Sequence, residues 1–401
     1  MDLEFLSGLK TPAETKIAML IMDGLGGLPR RPGGKTELET ARTPNLDRLA
    51  EHSSLGLTQP VGPGITAGSG PGHLAIFGYD PIQYQIGRGA LEALGVDFDL
   101  CPHDVAARGN FCSVDANGII TDRRAGRLPT AESQKLIKLL RAIQIENTQF
   151  FVEPVKEHRF VFVMRGEGLT DALSETDPLK TGVPELPVRP LQRKSDKAAQ
   201  CANYFIAQAR KLLADQELAN SILLRGFASL PSVPQYADIF GLKAAAIAIS
   251  GMYRGVARMV GMTVLDVVGE TISDEFASLE KHWSEYDFFY LHIKKTDTCG
   301  ERGDFDGKVA AIEEVDAQIP RLMALDPDVV IVGGDHSSPA VLRSHSWHPV
   351  PLLLYSRFVR LDGLLEFGER ACQQGSLGVI PATHVMPLAL ANSGRLAKYG
   401  A

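Results

Sequence analysis

The 401-residue chain is poor in cysteine, with only Cys101, Cys112, Cys201, Cys299 and Cys372. Their number is odd, their positions are scattered and no CxxC pair occurs, so they read as free thiols in a reducing cytosol. Apolar runs of membrane-spanning length are missing, AAAIAI at 244–249 being among the longest. The first residues, MDLEFLSGLK, carry acids and no apolar stretch of signal-peptide type. Positive charge is also in deficit: 41 Lys and Arg against 48 Asp and Glu leave a net charge of −7. That argues against wholesale binding to nucleic acid or an anionic membrane, and any bound anion must meet a local basic patch. Internal repeats and low-complexity tracts are lacking too. What remains is a soluble, cytoplasmic globular protein, long enough to divide a large core between two domains.

Short, continuous apolar runs alternate with helical patterns along the chain. KIAMLIMDG (16–24), RFVFVMRG (159–166), SILLRG (221–226), YDFFYLHI (286–293), DVVIVGG (328–334) and VPLLLYS (350–356) have the length and continuity of buried strands. Helices are expected over 131–143, 196–216 and 305–325, and over 43–53 with Thr43 as N-cap and Pro44 at the first helical position. This alternation predicts an α/β fold with a mostly parallel sheet flanked by helices. The proline- and charge-rich stretch 176–196 reads as a long surface connection.

Three of the expected strands run into aspartate: Asp23, Asp335 and, past the 286–293 run, Asp297. Ligands of open parallel sheets bind beyond the carboxyl ends of the strands, so these acids could converge on one site. His336 follows Asp335 directly, and His345 and His348 lie close behind. Asp and His together favour Mn²⁺, Co²⁺ or Zn²⁺ over Ca²⁺. Each acid is equally the kind of residue that turns prefer. In LHIKKTDTCGERGD (291–304) the same ambiguity holds for Asp297 and Glu301, read here as a polar loop after a strand.

Ser69 stands among glycines in PGITAGSGPGHLAIFGYDP (63–81), where Pro71 can start a helix. A hydroxyl there faces free N–H groups that favour a phosphate, or it serves as an ordinary helix cap. A third group is basic: Arg108, Arg123, Arg124, Arg127, Arg159, Arg225 and Arg254, with Arg88 nearby in sequence, several of them beside glycine. Arginine suits bidentate contact with phosphate or carboxylate, although single arginines are commonly surface or ion-paired residues.

Taken together, MDGLG, TPNLD, GSGPGHLAIFGYDP, GRGALEALG, DRRAGR, HIKKTD, GDFDGKVAAIEEVD, GGDHSSP and HSWHPVP resemble the 2,3-bisphosphoglycerate-independent phosphoglycerate mutases of the archaeal type, within the alkaline phosphatase superfamily. The resemblance implies an alkaline-phosphatase-like, metal-binding core from 1–100 and 285–401, with a smaller α/β (α+β) lid at 101–284. It implies two divalent ions, manganese first, with magnesium, zinc or cobalt as alternatives. One would be held by Asp23, Ser69, Asp335 and His336, the other by Asp297, His345 and position 301. Ser69 would be the nucleophile that carries a phosphoryl group between 3-phosphoglycerate and 2-phosphoglycerate, and the seven arginines would grip this small phosphorylated substrate. No nucleic-acid or membrane partner is implied, and the protein would be a monomer or a homo-oligomer. Two positions depart from the pattern: Glu301 replaces a histidine and Gly27 an aspartate. Glu301 keeps open a second reading, a related phosphotransferase or phosphatase acting on another small hydroxy compound such as homoserine.

Overall fold

The computed structural model describes residues 2–400 and contains thirteen strands among them. In chain order these are β1 (Ile17–Met22), β2 (Ser53–Gln59), β3 (Asp104–Val114), β4 (Ile120–Asp122), β5 (Gln149–Pro154), β6 (Arg159–Arg165), β7 (Ser221–Ser229), β8 (Ala244–Ala248), β9 (Thr263–Val264), β10 (Phe288–Ile293), β11 (Val329–Gly333), β12 (Val350–Ser356) and β13 (Gly378–Pro381). They form two sheets in two compact units, 1–85 with 233–401 and 86–232.

The larger unit is built on an eight-stranded sheet of order β13-β2-β12-β11-β1-β10-β8-β9. All neighbours are parallel except those of β12, which runs against β11 and β2. Helices cover both faces of a mostly parallel sheet, so its central strands are buried at every position rather than at alternate ones. Every residue of β1, β10 and β11 is buried. Leu20 lies level with Leu291 on one side and Val332 on the other, and all three join one apolar core. The consequence for function is positional. β11, β1 and β10 are consecutive, parallel and in register, so their carboxyl ends open on the same edge.

The smaller unit is an antiparallel five-stranded sheet, β4-β3-β6-β5 with β7 on the other side of β3. Helices Thr130–Leu140 and Asp196–Leu213 cover one face through Ile137, Phe205, Phe111, Phe160 and Phe162. Period-two alternation sends the residues between those apolar positions to the opposite face. Along β3 they are Arg108 and Asn110, on β6 Arg159, and on β7 Arg225; Arg108 pairs directly with Arg225, and Asn110 with Arg159.

Several expectations change. The border expected at 101–284 falls instead at 86–232, because β8 pairs with β10 in the large sheet while helix Arg88–Gly95 belongs with β3 and β7. The stretch 291–304 is not a loop: after β10 it forms helix Lys295–Arg302, so Asp297 and Glu301 stand one turn apart on one helical face. The helix expected over 305–325 is two, Phe305–Asp316 and Ile319–Met323, with Pro320 in the first turn of the second. Thr43 makes no side-chain cap of helix Pro44–Ala50. The 176–196 connection has buried anchors, Thr176 and Asp177, the former bonded through its backbone N–H to Leu224.

No helix among the described residues is long and apolar enough to cross a membrane, and all five cysteines are free.

Candidate active site

At the β11-β1-β10 edge, Asp23 follows β1, Asp335 and His336 follow β11, and Asp297 sits in the first turn of the helix after β10; all four are buried. Ligand atoms of Asp23, Asp335 and His336 lie within 4.8 Å of one another, as do those of Asp297, His336 and His345. The turn between β1 and its neighbours demands glycine at 24: φ is +63°, and a Cβ there would come within 2.7 Å of Ser338 and 2.8 Å of Asp297.

Hydrogen-bond accounting fixes what these atoms present to one another. Ser338 Oγ donates to Asp297 Oδ1 at 2.5 Å and lies 3.2 Å from His336 Nδ1. With that hydroxyl proton engaged, the Ser338 oxygen can accept from His336 Nδ1–H, which aims Nε2 at the strand-end carboxylates. Nε2 is 3.3 Å from Asp23 Oδ1, 3.2 Å from Asp335 Oδ2 and 3.2 Å from Ser69 Oγ. Both carboxylate oxygens are buried and lack a hydrogen-bond partner. Apart from His73 Nδ1 at 3.1 Å from Asp335 Oδ2, these two buried carboxylate oxygens meet only each other's charge and the imidazole, an arrangement that is costly unless a cation joins it. His345 is arranged alike: its Nδ1 donates to the Ala67 carbonyl at 3.0 Å, leaving Nε2 3.5 Å from Asp297 Oδ1 and 3.6 Å from Glu301 Oε1. The His336 and His345 rings stack at 3.6 Å. Donors of this kind and burial fit divalent cations.

The carboxyls are held charged against burial. For Asp23, burial and the charge of Asp335 push its pKa up, but His292 and Lys294 outweigh them and keep it below the ordinary carboxylate value. For Asp335, burial is overcome by His336, His73 and the Gly24 N–H, and its carboxyl falls far below the ordinary range. Lys294 Nζ donates to Asp23 Oδ2 at 3.0 Å, Asp297 Oδ2 at 2.6 Å and Tyr253 Oη at 2.9 Å. Burial lowers its pKa, but those two carboxylates raise it further, so it stays protonated at any ordinary pH.

Ser69 opens helix Ser69–Ile76, whose N-cap is Gly68, so the serine does not serve as the cap. It is half-buried, with its hydroxyl on His336. Glu301 reaches the same place from a mostly exposed position, its side chain 56% accessible. At the other departure, a Cβ on Gly27 would lie 2.1 Å from Glu37 Oε2; the buried Glu37 carboxylate, which accepts from Leu28 and Ala340 N–H, takes the space an aspartate would need. His348 bonds Ser346 and stays outside both donor sets.

The arginines divide. On the smaller unit Arg108, Arg159 and Arg225 are half-buried on one sheet face, where burial and the charges of Arg159, Arg88 and Arg225 lower the Arg108 pKa despite Glu92 at 3.4 Å. Arg225 also meets Glu175 at 3.1 Å. Arg123 grips buried Asp177 through two 2.7 Å bonds, which balances part of the DRRAGR charge internally. Arg124 and Arg127 are exposed. Arg254 is on the larger unit, in helix Gly251–Met259 beside Tyr253.

Residues that the sequence reading passed over are Lys294, Tyr253, His73 and Ser338. His292 Nε2 bonds Asp23 Oδ2 at 3.1 Å and stacks on Tyr253 at 3.6 Å. Only HIKKTD carried a usable signal: a lysine directly after a mostly apolar strand and three residues before an aspartate.

A family model described as 2,3-bisphosphoglycerate-independent phosphoglycerate mutase matches residues 50–219. A Thermus thermophilus protein named a probable enzyme of that description is 51% identical over 98% of this chain and 97% of its own length. One of the same name from Thermosipho africanus is 51% identical over 99% and 98%. Among solved structures, a Pyrococcus horikoshii protein matches with TM-score 0.82 at 30% identity, covering 98% of this chain and 100% of its own. A cofactor-independent phosphoglycerate mutase of Thermoplasma acidophilum matches with TM-score 0.76 at 28% identity, covering 95% and 100%. At half-identity over the whole length, the chain belongs to the 2,3-bisphosphoglycerate-independent phosphoglycerate mutase family.

Proposed function

We propose that the protein interconverts 3-phosphoglycerate and 2-phosphoglycerate without bisphosphoglycerate, through a phosphoryl group carried on Ser69. The observation that carries this reading is the Ser69 hydroxyl at a helix N-terminus, 3.2 Å from His336 and beside two sets of carboxylate and imidazole donors. The names of the relatives favour a mutase over a kinase or phosphatase for another hydroxy compound.

Divalent-metal dependence follows from the family and from the donor chemistry. Asp23, Asp335, His336 and Ser69 would hold one ion, and Asp297, His345 and Glu301 a second. Manganese suits this oxygen-rich mixture with imidazole best, and when bound the ions neutralise charge on the serine oxygen and the transferring group. The chain's own residues do the rest. Lys294 keeps a fixed positive charge between Asp23 and Asp297. His292 and Gly24 N–H orient the two strand-end carboxylates. Ser69 Oγ loses its proton and bonds to phosphorus as the bond from phosphorus to the glycerate oxygen breaks, and that oxygen takes up a proton. The second transfer runs the same exchange backwards onto the other glycerate oxygen. Arg108, Arg159 and Arg225, with exposed Arg124 and Arg127, are the guanidiniums we assign to the substrate phosphate and carboxylate; Arg123 we assign to the fold of its own unit.

Conversion of 3-phosphoglycerate is to be measured with bisphosphoglycerate absent and with Mn²⁺, Mg²⁺, Zn²⁺ or Co²⁺ supplied in turn. We expect metal-dependent formation of 2-phosphoglycerate. Release of free phosphate with no isomer formed under any metal would make the protein a phosphatase instead.

A further inference from the structure

We infer that Lys308 is a positioning residue that ties the ligand-bearing loops of the large sheet together before any cation arrives. The inference rests on reading Asp23, Asp297, Asp335 and His336 as cation ligands.

Lys308 lies one turn into helix Phe305–Asp316, whose N-cap Asp304 accepts from Gly307 N–H at 2.9 Å. Its side chain is fully buried. An ammonium has three hydrogens to place, and Lys308 Nζ donates to the carbonyls of Gly24 at 2.8 Å, Gly26 at 3.1 Å and Ser338 at 2.9 Å. Each carbonyl is one to three residues from a proposed ligand. Gly24 follows Asp23, and its N–H holds Asp335 Oδ1 at 3.0 Å. Ser338 stands two residues after His336, and its hydroxyl holds Asp297. One buried ammonium therefore clamps the β1 and β11 loops directly, and the β10 helix through Ser338.

The arrangement is poorly explained by fold stability alone. A buried lysine loses hydration that backbone carbonyls replace only in part, and a well-packed apolar residue often serves stability as well or better. Two of the three carbonyls have another donor, since Ser338 N–H lies 3.2 Å from the Gly24 carbonyl and 3.0 Å from that of Gly26. Replacing Lys308 by methionine would strand only the Ser338 carbonyl. What it would lose is the fixed spacing of the ligand loops.

The test titrates the full-length protein with Mn²⁺ alone by calorimetry, for wild type, Lys308→Met and Lys308→Gln, with folding checked by circular dichroism and cooperative melting. We expect the methionine variant to fold but bind Mn²⁺ about 10–100-fold more weakly, in the range seen when groups orienting ligands are removed. Glutamine, which keeps two N–H donors, should recover part of that loss. If the methionine variant does not fold, the glutamine variant is compared with wild type in its place. Wild-type affinity in a folded variant would overturn the inference, as would failure of both variants to fold, which would make Lys308 a determinant of the fold. Absence of Mn²⁺ binding by wild type would instead remove the metal reading itself, and this inference with it.

Discussion

At the carboxyl ends of β11, β1 and β10 the chain gathers carboxylates, whereas the sheet face of the 86–232 unit that its two long helices leave uncovered gathers guanidiniums. The acids are buried, and two of their oxygens make no hydrogen bond. The arginines are half-buried and only partly answered by Glu92, Glu175 and Asp177. Both arrangements work against folding, since buried like charges repel and an unpaired polar atom forfeits its hydration. Each unit offsets this with its own apolar core. Charge of one sign collected against such a cost points to a ligand of the other sign: cations for the larger unit, a small anion for the smaller one.

Substitutions can separate the two collections. Asp335→Asn should have the largest effect, removing metal binding and lowering turnover by about a thousandfold, read by metal content and kcat. Glu301→Ala should cost one bound ion and about a hundredfold in activity; unchanged metal content would leave Glu301 a plain helix residue. In the other unit, Arg108→Ala should raise KM for 3-phosphoglycerate about 10–50-fold while Mn²⁺ affinity stays the same. Arg123→Ala should leave KM alone and cost about 2 kcal/mol of stability, since buried Asp177 would keep only the Leu179 N–H at 2.9 Å and Arg225 at 3.6 Å.

A further effect concerns pH. Burial pushes the Glu369 carboxyl, which accepts from Gly27 N–H and Thr36, up to about 7. A carboxyl raised on folding is favoured protonated, so the stability it contributes is whole below its ordinary value of 4.5 and is lost as pH rises towards 7. The loss is about 3 kcal/mol, and Glu369→Gln should abolish it. Both tryptophans, Trp283 and Trp347, lie in the same unit as Glu369, so fluorescence melts report on that unit.

How far the sequence was legible differs between the two collections in the same way. Asp23 and Asp335 stood out because a strand buried on both faces is an unbroken apolar run, and an acid at its end is abrupt. Asp297 was found but misplaced: KTDTCGER is polar and holds a glycine, which hides a helix set by contacts with its neighbours. Lys294 and Tyr253 are 41 residues apart in sequence and meet only through the register of β8 and β10, which no local pattern encodes. The arginine face follows from alternation in β3, but DVAARGNFCSV is rich in small residues and does not announce itself as a strand. The unit borders were missed for a related reason, since β8 joins the large sheet by long-range pairing without any shift in composition.

The central claim is that Ser69 carries the phosphoryl group. It is tested most directly by mass spectrometry of the Ser69 peptide after rapid acid quenching of the protein with 3-phosphoglycerate and Mn²⁺, beside Ser69→Ala under the same conditions. The account predicts a phosphoryl group on Ser69 in the wild type and, in a folded Ser69→Ala protein, activity lower by about ten-thousandfold or more. Wild-type turnover in Ser69→Ala, or rapid isomerisation with no phosphate ever on that peptide, would contradict it.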